Sequence, residues 1–119
     1  MSKDTYVFDL DGTICWRSTP PDYLEGKPNI DLIVLINELW TLGHKIVIFT
    51  ARGMNTYNGK VSEIETALRD RTELWLEKNR VMYDELIFGK PSATFYIDDK
   101  AITPQDFIYK IKRSLHGSS

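Results

Sequence analysis

The sequence has little of what marks a secreted, membrane-spanning or nucleic-acid-binding protein. It contains one cysteine, Cys15, which excludes a disulfide within the chain and is compatible with a reducing compartment. Its formal net charge of −2 offers no basic surface for nucleic acid or for an anionic membrane. No apolar run approaches the roughly 18 residues of a membrane span, and the first residues show no signal-peptide pattern. We therefore expect a cytoplasmic protein.

Repeats, low-complexity stretches and linker-like segments are also lacking, which argues against several domains. The chain has 119 residues, and domains most often run to about 100–150 residues. Hydrophobic residues make up 42% and charged residues 27% of the chain, the usual proportions of a globular protein with a core. We expect a single domain over residues 1–116, followed by a short tail at 117–119.

Hydrophobic periodicity predicts four short strands that alternate with three helices. The strands are expected at 5–8, 45–49, 85–88 and 94–97. The helices are expected between Asn29 and Gly43, over 61–79, and from Pro104 onward. Alternating strands and helices favour an α/β fold with a single doubly wound, Rossmann-like parallel sheet and helices on both of its faces.

Polar side chains follow each predicted strand. They are carboxylates, a hydroxyl and an ammonium: Asp9, Asp11, Thr50, Lys90, Asp98 and Asp99. Ligands of a doubly wound sheet bind beyond the carboxyl ends of its strands. We therefore expect these groups to converge at one edge of the sheet.

Such an edge suits phosphoryl transfer assisted by magnesium. Asp9 and Asp98 supply the hard oxygen ligands that Mg²⁺ prefers, and the metal with the Lys90 ammonium offsets repulsion between a carboxylate and a phosphate. Asp11, two residues after Asp9, lies close enough to protonate a leaving oxygen and later to deprotonate water. Backbone N–H groups of the turn at Gly12 are expected to approach the phosphate.

Four segments of the chain resemble, in order and spacing, the motifs of the haloacid dehalogenase superfamily. They are 9–13 (DLDGT), 46–50 (IVIFT), 89–91 (GKP) and 95–99 (FYIDD). The resemblance spans about residues 5–103. It implies the core fold of that superfamily and a phosphatase that works through an aspartyl-phosphate.

The resemblance also implies a role for each matching residue. Asp9 would be the nucleophile and Asp11 the general acid and base. The phosphoryl group would be held by four residues, Thr50, Ala51, Arg52 and Lys90. The magnesium ligands would be four aspartates, Asp9, Asp11, Asp98 and Asp99, the last of them directly or through water. For Arg52, a phosphate or sugar contact and a structural ion pair are equally good interpretations.

The family usually inserts a cap domain, for which this chain leaves no room. About 36 residues separate Thr13 from Thr50 and about 39 separate Thr50 from Lys90, and the expected helix and strand nearly fill each gap. An open site would accept large phosphoesters, or a second subunit of a homo-oligomer would close it. Trp16 and Tyr23 could line its entrance.

Residues 50–59 resemble small capless members associated with capsular and other surface-polysaccharide synthesis. This implies a phosphorylated sugar, polyol or related biosynthetic intermediate as the substrate, with neither nucleic acid nor a membrane as a partner.

Three other functions compete with this interpretation. A response-regulator receiver domain uses similar residues, but its acidic pair comes first, whereas Asp98 and Asp99 come last here. A nucleic-acid 3′-phosphatase fits an open site but not the absence of a basic surface. A non-catalytic phosphate-binding module on the same fold is possible in principle, although every catalytic position holds the expected residue type.

Overall fold

Three parallel strands form the centre of the structure. This structure is a computed structural model, and it describes residues 3–16, 23 and 25–117. The regular elements are, in chain order, β1 (Thr5–Asp9), β2 (Cys15–Trp16), β3 (Lys27–Pro28), α1 (Ile30–Thr41), β4 (Lys45–Thr50), α2 (Val61–Lys78), β5 (Glu85–Phe88) and α3 (Pro104–His116). The parallel sheet has the order β1-β4-β5, and β2 pairs antiparallel with β3. The predicted α/β class and parallel sheet are confirmed. Residues 17–22 and 24, between β2 and β3, lie outside the described residues.

β4 is the central strand, and its sequence explains why. Ile46, Val47 and Ile48 are all buried, so both sides of the strand are covered. A strand buried on both sides has an uninterrupted apolar run rather than alternating polarity. Its last residue, Thr50, therefore lies at the middle of the carboxyl edge, with the end of β1 on one side and the end of β5 on the other.

The helix ends follow local capping rules. The Asn29 side chain accepts a hydrogen bond from the N–H of Leu32 at the start of α1, and Thr103 accepts one from Asp106 at the start of α3. Gly43, just after α1, has φ +94°, which favours glycine. These boundaries agree with the predicted ones. Within the described chain, no helix combines the length and apolarity needed to cross a membrane.

One face of the sheet is covered, whereas the other is covered at Val47 of the central strand and open at the two outer strands. Phe107 of α3 packs edge-on against Phe8 of β1, with ring centroids 5.4 Å apart, and also contacts Tyr6. Val7 and Ile87 occupy alternate positions, so they point to the opposite face, and both are exposed. The predicted cover on both faces, and with it the doubly wound arrangement, is not confirmed.

The fourth strand expected at 94–97 is not formed. Residues 91–103 contain no helix or strand, and Phe95 and Ile97 are 77% and 92% exposed. An apolar segment becomes a strand only when it pairs with the edge of a sheet. Segment 94–97 does not pair with β1, whose one partner among the described strands is β4. Tyr96 instead makes local contacts: its hydroxyl donates to the Pro91 carbonyl, and its ring lies over the Lys90 ammonium.

The core predicts a large difference between two tryptophans. Trp75 is 2% exposed and its Nε1–H donates to the Gly26 carbonyl at 2.9 Å, so Trp75→Ala should lower the free energy of unfolding by about 3–5 kcal/mol. Trp40 is 36% exposed, and Trp40→Ala is the matched control with a cost below about 1.5 kcal/mol. Urea unfolding of both variants measures this. Equal costs would contradict the described core.

Candidate functional site

A cavity of about 340 Å³ opens at the carboxyl end of the sheet. It is lined by two carboxylates, two cationic side chains, two tyrosines and an alanine: Asp9, Asp11, Arg52, Lys90, Tyr23, Tyr96 and Ala51. Five of the eight residues proposed from the sequence are therefore brought together. The other three, Thr50, Asp98 and Asp99, are not among the lining residues.

Asp9 and Lys90 form an ion pair across the sheet edge. Asp9 ends β1, and the backbone N–H of Lys90 donates to the carbonyl of Thr50 at 3.1 Å, which fixes the chain just after β5. The Lys90 Nζ lies 3.3 Å from Asp9 Oδ1, and both side chains are partly buried. Gly89, which lies between β5 and Lys90, has φ +105°, a conformation that residues with a side chain disfavour. The turn therefore requires glycine to aim Lys90 at Asp9.

The turn after Asp9 is held by its own backbone. The Gly12 N–H donates to the Cys15 carbonyl at 2.8 Å, and the Thr13 N–H donates to the Leu10 carbonyl at 3.2 Å. The Thr13 hydroxyl lies 3.5 Å from Asp9 Oδ2, which is long for a hydrogen bond. The Gly12 and Thr13 N–H groups thus bind protein carbonyls, and the expected approach of this turn to a phosphate stays a prediction.

Asp11 and Arg52 form a bidentate ion pair. Arg52 Nε–H donates to Asp11 Oδ2 at 2.8 Å, and an Nη2–H donates to Oδ1 at 2.9 Å. A planar guanidinium matches both oxygens of a carboxylate, which gives strong and directional binding. The Arg52 side chain is 0% exposed, whereas that of Asp11 is 34% exposed. The structure thus shows the ion-pair interpretation of Arg52, and a phosphate contact by this residue stays a prediction.

Two tyrosine rings cover the two cationic groups of the cavity. The Tyr23 ring centroid lies 4.6 Å from Arg52 Cζ, and the Tyr96 ring centroid lies 4.1 Å from Lys90 Nζ. Burial raises the pKa of Tyr23, and the negative charge of Asp11 raises it further, so the phenol stays neutral. Tyr23 was expected near the entrance. Tyr96 was expected only as part of a strand. No pattern in the neighbouring sequence predicts the contact between its ring and Lys90.

Thr50 lies behind the cavity rather than in its wall. Its side chain is buried, and its Oγ1 accepts a hydrogen bond from the backbone N–H of Arg52 at 3.1 Å. The hydroxyl therefore supports the first residues of the loop after β4. Its predicted role as a phosphate donor stays a prediction.

Asp98 and Asp99 lie on the exposed segment 91–103, outside the cavity. The Lys100 N–H donates to Asp98 Oδ1 at 2.9 Å. That hydrogen bond, and to a lesser degree one with Asp99, holds the pKa of Asp98 below its usual range. No group of three or more histidine, cysteine, aspartate or glutamate side chains suited to a metal occurs among the described residues. The described arrangement therefore does not assemble the expected magnesium ligands.

Comparison with known proteins gives a family but no activity. No family model and no curated protein matches the sequence. The crystal structure of an MCSG target from Vibrio cholerae is 37% identical over 93% of this chain and 98% of its own, with a TM-score of 0.82. The chain belongs to the same family as this Vibrio cholerae protein.

Two more distant structures share the fold. One is a Pnkp1/Rnl/Hen1 complex, with 21% identity, a TM-score of 0.56 and 91% of this chain covered. The other is the Pnkp1/Rnl/Hen1 RNA repair complex, with 19% identity, a TM-score of 0.55 and 94% covered. The chain spans 34% and 31% of those two chains. At these identities the likeness concerns the fold alone.

The buried ion pair predicts a stability effect. Arg52→Met leaves the partly buried Asp11 carboxylate without its guanidinium, so the free energy of unfolding should fall by about 3 kcal/mol, the lower end for removing one partner of a buried pair. Arg113→Met is the matched control, because Arg113 lies on α3 and makes an exposed hydrogen bond to the Tyr109 hydroxyl. This substitution should lower the free energy of unfolding by less than about 0.5 kcal/mol. Denaturant unfolding that gives equal values would contradict the buried pairing.

Proposed function

We propose that the protein is a phosphomonoesterase of the haloacid dehalogenase type, with Asp9 as its nucleophile. The observation that carries the proposal is the position of Asp9 at the end of β1, inside the cavity, with Lys90 Nζ 3.3 Å away and Asp11 two residues further along the same wall. A nucleophile, a cation for the phosphate and a proton carrier are the parts that this reaction requires.

The first step transfers the phosphoryl group to the protein. An Asp9 carboxylate oxygen attacks phosphorus, the bond from phosphorus to the ester oxygen breaks, and Asp11 gives a proton to the departing oxygen. Lys90 binds a non-bridging phosphate oxygen and offsets the repulsion that two anions would otherwise feel. Its contact with Asp9 Oδ1 supports this role, because the ammonium lies beside the proposed nucleophile.

The second step returns the protein to its starting state. Asp11, now deprotonated, takes a proton from a water molecule, and the water oxygen attacks phosphorus of the aspartyl-phosphate. The bond between phosphorus and the Asp9 oxygen breaks, so phosphate leaves and the Asp9 carboxylate is restored. Asp11 is 34% exposed, so water can reach the carboxylate.

The substrate class is proposed from the size and lining of the cavity. A volume of about 340 Å³ lies at the lower end of ligand pockets, which run from about 300 to 1,000 Å³. Two tyrosine rings that line the cavity offer flat apolar surfaces beside charged groups. These features support a small phosphorylated sugar, polyol or related biosynthetic intermediate as the substrate.

A nucleic-acid 3′-phosphatase is the second candidate. It is favoured by the shared fold with a chain of an RNA repair complex. It is opposed by the net charge of −2, since phosphate contacts by lysine and arginine dominate nucleic-acid binding. Phosphate release from a sugar phosphate and from a 3′-phosphorylated oligonucleotide, compared at equal concentration, separates the two candidates.

We propose that phosphate release also depends on magnesium, although the described residues do not assemble its ligands. Bringing Asp98 to Asp9 requires segment 91–103 to approach the free edge of β1. Two features support that approach: β1 has one partner among the described strands, and Phe95 and Ile97 are exposed.

Chelation tests this part of the proposal. Removal of divalent metal with EDTA should abolish phosphate release, and Mg²⁺ added in excess should restore it. Asp98→Asn should require a higher Mg²⁺ concentration for half-maximal rate, and Asp106→Asn, an exposed aspartate in the first turn of α3, is the matched control. Full activity in EDTA would show that Asp98 and Asp99 are surface residues without a catalytic role.

The nucleophile assignment predicts an inactive variant. Asp9→Asn removes the attacking oxygen anion, so kcat for 4-nitrophenyl phosphate should fall by at least about 1,000-fold while circular dichroism stays unchanged. Asp31→Asn, in the first turn of α1, is the control and should keep the parent rate. An Asp9→Asn protein that turns over at a tenth of the parent rate or faster would refute the assignment.

A further inference from the structure

The Arg52 guanidinium is an enclosed cation beside the proposed proton carrier. Two of its N–H groups bind both oxygens of Asp11, at 2.8 and 2.9 Å, and a third donates to the Thr72 hydroxyl at 3.2 Å. Its Nη2 also lies 3.8 Å from Cys15 Sγ, and the Tyr23 ring covers its face. Every edge of the group therefore meets protein.

Three separate parts of the chain hold Arg52 in place, two through its guanidinium and one through its backbone N–H. Thr72 belongs to α2, Cys15 belongs to β2, and Thr50 at the end of β4 accepts the Arg52 backbone N–H at 3.1 Å. A charged group with this many fixed partners does not swing out to meet a ligand. Displacing it toward a phosphate would leave the Asp11 carboxylate and the buried Thr72 hydroxyl without these bonds.

The two Arg52 N–H groups that bind Asp11, here called the fork, fix the plane of the Asp11 carboxylate. A carboxylate has about four lone-pair sites, of which the two N–H groups occupy one on each oxygen. The remaining lone pairs point away from the two bound N–H groups, and the Asp11 side chain, which lines the cavity, is 34% exposed. Proton transfer is efficient only when donor and acceptor are within hydrogen-bond reach and aligned.

We propose that Arg52 is a positioning residue, which holds Asp11 aligned for proton transfer to and from the substrate oxygen and does not itself bind phosphate. The inference rests on the proposed phosphatase function and adds the part of the site that sets its proton chemistry. It also explains the residue type, since lysine would supply the charge but not the two parallel N–H groups that orient a carboxylate.

A positioning role and a phosphate contact predict different leaving-group dependence. 4-Nitrophenol is more acidic than phenol and departs as its anion with little help, whereas phenol itself has a pKa near that of tyrosine, about 10, and requires a proton in the transition state. If Arg52 aligns Asp11, loss of the fork slows esters with poor leaving groups most. If Arg52 binds phosphate, loss of the fork slows all esters alike and raises KM.

The experiment measures kcat/KM of the parent and of Arg52→Lys for 4-nitrophenyl phosphate and for phenyl phosphate, with Mg²⁺ present. We expect Arg52→Lys to lower the value for phenyl phosphate about 100-fold, the scale of a misplaced catalytic group, and that for 4-nitrophenyl phosphate by less than about 10-fold. Equal losses for both esters with a raised KM, or no loss for either, would overturn the inference.

A matched arginine controls for lost stability. Arg69 also makes several bonds, to Glu65, to Glu73 and to the Leu86 carbonyl, and none of these partners lines the cavity. Arg69→Met should leave the ratio of the two kcat/KM values at that of the parent. A changed ratio in this variant would show that general loosening of the fold produces the effect, which contradicts a specific role for Arg52.

Two more variants keep the inference testable if Arg52→Lys does not fold. Thr72→Val keeps the guanidinium but removes its third bond, so it should shift the ratio in the same direction by a smaller factor. In an Asp11→Asn background, Thr72→Val should change neither value by more than about 3-fold, because groups that act as one unit are not additive. An unchanged ratio in Thr72→Val, or a full additional loss in the double variant, counts against the inference.

Failure of the inference and failure of the proposed function give different results. A parent protein that releases phosphate from neither ester, or an Asp9→Asn variant that keeps its turnover, overturns the phosphatase proposal and the inference with it. The inference alone is overturned if the parent is active and depends on Asp9 but the ratio of the two kcat/KM values is the same in Arg52→Lys.

Discussion

Parallel pairing of β1 with β4 and of β4 with β5 is the constraint on which the site depends. Asp9 pairs with Phe49, and Thr50 pairs with Phe88, so three strand ends stop at one level. A shift of one residue in either ladder would turn the alternating side chains to the other face and separate the ion pair of Asp9 with Lys90. The buried apolar run of β4 fixes both ladders at once. Burial of this strand in the core therefore determines the geometry of the polar groups at the edge of the sheet.

The charges of the cavity are arranged as two matched pairs with different exposure. Asp9 faces Lys90 and Asp11 faces Arg52, and each cation is covered by a tyrosine ring. The Lys90 pair is partly exposed, and in the proposed mechanism a phosphate enters there, whereas the Arg52 side chain is buried. This difference in exposure is the basis of our proposal that Lys90 meets substrate and that Arg52 orients Asp11. A charge count alone would have treated the two cations as equivalent.

The sequence predicted what depends on near neighbours in the chain. Asn29, Gly43 and Thr103 mark helix ends through contacts within a few residues, and the strand ends at Asp9 and Thr50 follow from apolar runs. Segment 94–97 has the composition of a strand, yet a strand also requires a partner edge, which no local pattern supplies. The pairing of Arg52 with Asp11 joins residues 41 positions apart and depends on how β1 and β4 align, so the sequence left its two interpretations open.

The central claim, a covalent phosphoryl group on Asp9, is tested most directly by trapping it. Asp11→Asn should accept the phosphoryl group from 4-nitrophenyl phosphate, whose phenol departs without a proton, but should hydrolyse the intermediate slowly because no base activates water. Acid quenching, peptic digestion at low pH and mass spectrometry should then find one phosphoryl group on the peptide that contains Asp9, assigned to that residue by fragmentation. An unmodified Asp9 in a protein that still releases nitrophenol, or a phosphoryl group on another residue, would contradict the account.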